Sequence, residues 1–304
     1  MVPLSERASE AHGDRLSERA SEAHGDRLSE HASEAHSDRL NGDLITSEPV
    51  RGLPAIGPFA ALQFLTRLPV RLRAAPDMAA MVVWFPLAGA VIGALVGGVG
   101  AIAFQWTAPL VAGALAVTVG LLVTGAFHED GLGDIADAFG GGYTVERRLE
   151  IMKDSRHGTY GVAAMCASIV VRVVALGSMP SGATLFASAV AAHVIARGAA
   201  VALMAVVPLA GRSGLGADYG QATSRARGVI ASAMAAVLGG VAVGWWVVPA
   251  LGVALAAVLA VGALARHKIG GISGDVLGAA EQVSECAVVV VLGALALRHG
   301  LWWA

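Results

Sequence analysis

An all-α membrane protein, a polytopic transmembrane helical bundle of about seven spans plus a short N-terminal interfacial helix, is predicted by three observations on the 304-residue sequence. Mean hydropathy is +0.66, 56% of residues are hydrophobic and only 14% are charged, which is too apolar for an ordinary water-soluble domain. Apolar windows of bilayer-spanning length recur from residue 78 onward. Charged residues are confined to alternate loops, the pattern of a chain that crosses a bilayer repeatedly.

The N-terminal 50 residues stand apart. Residues 4–39 are three copies of a twelve-residue unit, LSERASEAHGDR twice and then LSEHASEAHSDR. On an α-helix such a period advances by about 120° per repeat, so no face stays constant. A solvated, disordered low-complexity tail is expected over 1–50, followed by an integral membrane domain over 51–304. The tail holds 11 acids and 5 bases, leaving 12 acids and 16 bases in the membrane domain, which is therefore mildly basic. No basic region leading into an apolar run and a small-residue cleavage site is seen, so insertion is expected to use the internal apolar segments. Cys166 and Cys286 lack a paired spacing and say little about redox compartment.

The stretch 55–70 is too short to span and is expected to form an interfacial helix. Seven spans are expected at 79–104, 108–127, 158–178, 182–207, 228–247, 249–265 and 284–303. The connections at 105–108, 178–182 and 247–249 carry no charge, whereas those at 128–157, 212–227 and 266–283 hold most of the basic residues. The positive-inside rule makes the basic side cytoplasmic. Trp106, Trp245, Trp246, Trp302 and Trp303 fall at the opposite ends, where interfacial anchors belong. Gly89, Gly93, Gly97 and Gly100 suit close helix packing in the first span.

Ten of the twelve carboxylates after residue 50 lie in two short stretches, His128–Gly161 and Gly270–Glu285. Acids concentrated on an apolar scaffold suggest a divalent metal and a phosphorylated substrate. Asp130, Asp134 and Asp137 are spaced i, i+4, i+7, which aligns them on one face of a helix continuing from the second span. Their mutual repulsion becomes tolerable with divalent cations, and Mg²⁺ favours a few carboxylates together with water and phosphate oxygens. Glu129 is a further candidate ligand. Lys153, Asp154, Ser155, Arg156, His157 and Tyr160 form a polar patch before the third span, its cations suited to phosphate. In the second stretch Asp275 follows two glycines and either joins the metal site or caps a helix, with Glu281 and Glu285 one turn apart beyond it. Arg172, His193 and Arg197 fall within spans and must face the bundle interior or a wet cavity. Arg197 and Arg212 are the candidates for phosphate among the remaining cations.

These segments, FLTRLPV (Phe64–Val70), WFPLAGAVIGAL (Trp84–Leu95), HEDGLGDIADAFGG, EIMKDSRHGTYG (Glu150–Gly161), Arg197 with PLAGRSGLG, and GGISGDVLGAAEQVSE, resemble the cobalamin synthase family, the adenosylcobinamide-GDP ribazoletransferases. The resemblance covers nearly everything after residue 55. Gly133, His157 and Ser273 depart mildly from the family pattern, and the repeat tail is foreign to it. It implies the closing step of cobalamin nucleotide-loop assembly. Adenosylcobinamide-GDP joins α-ribazole or its 5′-phosphate, with Mg²⁺ as cofactor, giving adenosylcobalamin or its 5′-phosphate and GMP. On that reading Asp130, Asp134 and Asp137 hold metal with Glu129 and Asp275, and Lys153, Arg156, Arg197 and Arg212 hold phosphates. Asp154 or a cluster acid takes the hydroxyl proton. The implied setting is the inner membrane with the site on the cytoplasmic face. The lipid bilayer and both substrates are partners, nucleic acid is not, and self-association or association with other nucleotide-loop enzymes is compatible with it.

Two rivals stand beside this reading. A CDP-alcohol phosphotransferase uses similar acids, but its DG-x2-AR pattern fails here, because Gly131 is followed by LGDIADAF. An ion-coupled transporter places its acids near the bilayer midplane in broken helices, whereas these gather at one face.

Overall fold

The computed structural model describes residues 56–70, 72, 78–208, 210 and 223–303. The chain divides into two units, Met1–Arg51 and Gly52–Ala304. The repeat tail and Arg212 lie outside the described residues.

Helices make up the described fold: α1 Gly57–Leu65, α2 Phe85–Ala103, α3 Pro109–Thr124, α4 Phe127–Gly141, α5 Val145–Ile151, α6 Thr159–Gly177, α7 Gly182–Val206, α8 Arg225–Val243, α9 Val247–Ile269 and α10 Gly274–Ala296. Short helical turns at Met78–Met81 and Val82–Trp84 lead into α2. Local signals set the boundaries. Pro109 opens α3, where its missing N–H costs nothing. Ser181, Ser224 and Ser273 accept from the backbone N–H three residues on and cap α7, α8 and α10. Gly125 and Gly270 close α3 and α9 in the left-handed conformation that glycine adopts without penalty.

Among the described residues five continuous helical runs are long and apolar enough to cross a membrane, and the pair α3 and α4, bent by 89°, makes a sixth when taken together as one broken span. One run, Arg225–Ile269, is 45 residues long and holds both α8 and α9. A Cβ added at Gly228 of α8 would meet Ala205 near the end of α7, and one at Gly239 would meet Ile195, farther back. The chain then reverses at Gly244 (φ +61), and Gly262 of α9 returns to Leu203. Counting α8 and α9 separately brings the crossings to seven.

α7 is the central helix, with 17 of its 25 residues buried, among them Ala191 through Gly198 without a break. Its small residues let neighbours approach backbone to backbone. Gly89, Gly93 and Gly97 of α2 face His193, Val190 and Phe186 respectively, an antiparallel seam with no room for side chains. Pro208 and Ala210 are bonded through the backbone to Ile272, tying the exit of α7 to the entry of α10. The loops rich in charge therefore share one end of the bundle. Trp106, Trp245, Trp302 and Trp303 are exposed at the other end, whereas Trp246 is 1% exposed and packs in the core instead of anchoring an interface.

Two boundaries differ from expectation. α4 does not continue the second span: Gly125 (φ +68) and Ala126 (φ +56) break the helix, and α4 leaves at 89° to α3. The last helix starts at Gly274 rather than near 284, because its first turns carry polar groups that lower hydropathy yet are satisfied inside the bundle.

Candidate functional site

Ionisable groups at the charged end separate into three neighbouring arrangements. The first is an acidic cluster. Asp130 and Asp134 lie one turn apart on α4, with side chains 65% and 15% exposed. His157 stands against both, its Nε2 3.3 Å from Asp130 Oδ1 and its Nδ1 3.7 Å from Asp134 Oδ1. Asp275, in the first turn of α10, joins them because α4 and α10 meet without side chains between. A Cβ at Gly131 would lie 2.9 Å from the carbonyl oxygen of Asp275, and one at Gly278 would lie 3.5 Å from the backbone of His128. Ser273 caps α10 by accepting from Val276 N, and its side chain also hydrogen-bonds the Asp275 carboxylate. Two segments far apart in sequence thus bring the backbone of Asp275 against α4 beside Asp130 and Asp134, with the His157 ring against both of those aspartates.

Asp137 completes the spacing but does different work. Its Oδ2 accepts from Gly158 N at 2.6 Å and its Oδ1 from Gly161 N at 2.9 Å, so it caps α6 from another helix. Gly158 and Gly161 crowd that carboxylate so closely that side chains there would displace it.

The second arrangement is an open cleft beside the cluster, formed by α5 and the α5–α6 loop and enclosing about 1040 Å³ of non-atom space. Arg147, Lys153, Asp154, Arg156 and Tyr160 line it together with Asp137. Arg156 grips Asp154 with a two-point fork, Nε to Oδ1 at 2.9 Å and Nη2 to Oδ2 at 2.6 Å. Hydrogen bonds from the Arg156 side chain and backbone hold the Asp154 carboxyl down at about 2, so it is a weak base at neutral pH.

The third arrangement, buried between helices, was not anticipated as a unit. Arg172 of α6 bonds Glu129 Oε1 of α4 at 2.8 Å and Glu285 Oε1 of α10 at 3.2 Å. Arg197 Nη1 of α7 bonds Glu281 Oε1 at 2.6 Å, and His128 Nδ1 lies 3.4 Å from Glu281 Oε2. His193 Nδ1 lies 2.8 Å from Glu285 Oε2 and 3.0 Å from Arg197 Nη1. One ring nitrogen cannot donate to the carboxylate and accept from the guanidinium at once, and the shorter contact is the charge-assisted one. The ligand-capable atoms of His193, Glu281 and Glu285 lie within 4.8 Å of one another, as a metal site would require. Arg197 Nη1, bonded to Glu281 and 3.6 Å from Glu285 Oε2, already supplies a positive charge there.

The expected site residues are therefore distributed. Asp130, Asp134 and Asp275 come together, and Lys153, Asp154 and Arg156 line the adjoining cleft with Asp137 at its wall. Glu129 does not join Asp130. One residue along a helix is a turn of about 100°, and that phase sends Glu129 inward to Arg172. Arg197 does not reach the cleft either, being 1% exposed and engaged by Glu281. Glu281 and Glu285 were expected near the entry of the last span; they lie inside the bundle as counter-ions to the two arginines. The signal that could have found this was the count of mid-span charges: Arg172, His193 and Arg197 need acids, and an i, i+4 Glu pair in an apolar run supplies them.

The sequence model of the family described as cobalamin-5-phosphate synthase matches residues 57–293. Among curated relatives, the adenosylcobinamide-GDP ribazoletransferase of Ralstonia nicotianae is 41% identical over 221 residues, covering 69% of this chain and 82% of the relative. The proteins of the same name from Azorhizobium caulinodans and Xanthobacter autotrophicus are 38% and 40% identical, each covering 78% of this chain and 94% of the relative. No solved structure matches.

Proposed function

As the chain belongs to the cobalamin-5-phosphate synthase family, we propose that it joins adenosylcobinamide-GDP to α-ribazole or its 5′-phosphate, releasing GMP, with Mg²⁺ held by Asp130, Asp134 and Asp275. It is a multi-pass membrane transferase of cobalamin biosynthesis. The observation that supports the metal assignment is the meeting of α4 and α10 at Gly131 and Asp275, which brings Asp275 toward Asp130 and Asp134 near a cleft lined by Arg147, Lys153 and Arg156 with Asp137, Glu150 and Asp154. The donor set suits the ion: hard oxygen ligands at a water-accessible edge, with coordination positions left for water and phosphate. When bound, Mg²⁺ stabilises negative charge on the transferring and departing phosphates.

The protein's own groups do the rest. Lys153 and Arg156 offer positive charge to the diphosphate from the cleft wall. Asp137 fixes the start of α6, so the loop carrying those cations keeps its place relative to α4. Asp130, the most exposed acid of the cluster, is better placed than Asp154 to take the proton of the attacking ribose hydroxyl, because Asp154 is committed to Arg156. Glu129 and Arg197 support the site from behind. The basic loops support a cytoplasmic orientation for this end, in the inner membrane. Family membership sets aside the transport and CDP-alcohol readings.

The test is release of GMP by purified protein in lipid nanodiscs supplied with adenosylcobinamide-GDP, α-ribazole and Mg²⁺. Turnover that needs both substrates and the ion is expected; turnover undiminished by a chelator would overturn the metal assignment.

A further inference from the structure

A pocket on the other side of the α4–α10 contact is used by none of the chemistry above. It encloses about 460 Å³ of non-atom space, part of it open to the exterior. Its walls are aromatic. Phe64 and Phe85 stack with ring centroids 5.9 Å apart and planes 4° from parallel, and Phe127 meets Phe64 edge to face at 5.5 Å. Three polar residues line it with them: His128, Arg197 and Glu281. Arg197 is 1% exposed, and its Nε–H has no hydrogen-bond partner. A buried donor left open in this way is costly unless something accepts from it. The remaining lining is small, Ala200 from α7 and Gly274 and Gly278 from α10, so a flat group can slide in.

We propose that this pocket holds the aromatic base of the acceptor nucleoside, its ring among the three phenylalanines and a ring nitrogen turned to Arg197. The proposal rests on the transferase reading and deepens it. Of the groups that reaction brings together, the dimethylated benzimidazole is the small, planar, largely apolar one. The corrin ring is too large for the pocket. Guanine carries a full edge of donors and acceptors, whereas Glu281, the acid that could pair with it, is already taken by Arg197 and His128. Placement agrees with the chemistry. Gly274 lines the pocket and Asp275 follows it; His128 lines the pocket and Asp130 lies two residues on. The pocket and the carboxylates thus share the two helices α4 and α10.

The experiment begins with wild-type protein, whose GMP release tests the transferase reading independently of the pocket. With that activity in hand, Ala200→Leu fills the pocket. The expected result is a KM for α-ribazole raised tenfold or more, with the KM for adenosylcobinamide-GDP within about twofold of wild type. Phe127→Leu, at a ring that is 47% exposed and can be trimmed without emptying the core, should raise the same KM severalfold. Free 5,6-dimethylbenzimidazole should compete with α-ribazole in the wild type and lose that competition in Ala200→Leu. A rise confined to the cobinamide-GDP KM would give the pocket to guanine and overturn the proposal. Unchanged values for both substrates, as an occupying lipid chain would produce, would overturn it as well.

Discussion

Glu129 and Asp130 are neighbours in sequence and carry the same charge, yet they belong to two regions built on opposite terms. Around Glu129 the acids are met from within: Arg172, Arg197 and the His193 ring contact Glu129, Glu281 and Glu285 among α4, α6, α7 and α10, all nearly excluded from solvent. Around Asp130 the answer is missing. Asp130 is open to the exterior, Asp134 and Asp275 are partly buried near it, and the His157 ring stands against Asp130 and Asp134. That contrast, acids paired in the interior and acids without an arginine partner nearby, is what the proposed metal assignment builds on.

The largest effect that separates the regions is expected from Asp134→Asn. Transfer should fall by about 10²-fold or more while insertion and thermal unfolding stay near wild type, because the lost group serves the ligand and not the fold. Near-normal turnover in that variant would sink the metal assignment. The buried region should answer in the opposite sense. Arg172→Met strands Glu129 and Glu285, which should cost about 3–5 kcal/mol of stability, read as a lowered unfolding midpoint in nanodiscs. An unchanged midpoint would mean that the network does not hold the helices together.

Smaller differences sharpen the picture of the exposed region. His157→Ala removes the neighbour that competes with a metal for Asp130 and Asp134. The Mg²⁺ concentration for half-maximal activity should drop about 2- to 5-fold, the scale of a partly exposed ion pair. Smallest is Asp154→Asn. Its folded-state carboxyl is depressed to about 2, so the group is ionised throughout the assay range, and its pairing with Arg156 is lost only as pH falls through that value. The pH–rate profile between about pH 5 and pH 9 should therefore keep its shape. A vanished limb in that profile would return Asp154 to the role of base.

Much of this was legible in the sequence, and for a clear reason. Lipid requires apolar helices of a fixed minimum length and restricts charge to the ends, so the spans, their alternation and the common end of the acidic segments follow from composition alone. Asp130, Asp134 and Asp275 stand out in the sequence because acids on such a scaffold are conspicuous. What escaped were facts of three-dimensional phase. The break at Gly125–Ala126 depends on two consecutive residues in the left-handed region, one of them an alanine that rarely adopts it. That break rotates α4 so that Glu129 turns inward. The assignment of Glu281 to Arg197 and of Glu285 to Arg172 joins residues 84 and 113 positions apart, which helical periodicity within one segment cannot relate. Asp137 looked like a third ligand because its spacing is right; its role as a cap for α6 comes from a helix that the spacing does not mention.

The bare contact between Gly131 and Asp275 has one more consequence. Helices separated by side chains can shift as rotamers change, but helices touching backbone to backbone have a spacing that nothing soft can adjust. On the proposed metal assignment, that fixed backbone spacing limits how far apart the acids of the two helices can reach, which favours one ion radius over another. Mg²⁺ needs oxygens at about 2.1 Å and Ca²⁺ at about 2.4 Å, so Ca²⁺ should bind this protein yet turn it over poorly. Widening the spacing with Gly131→Ala should narrow that preference along with the rate.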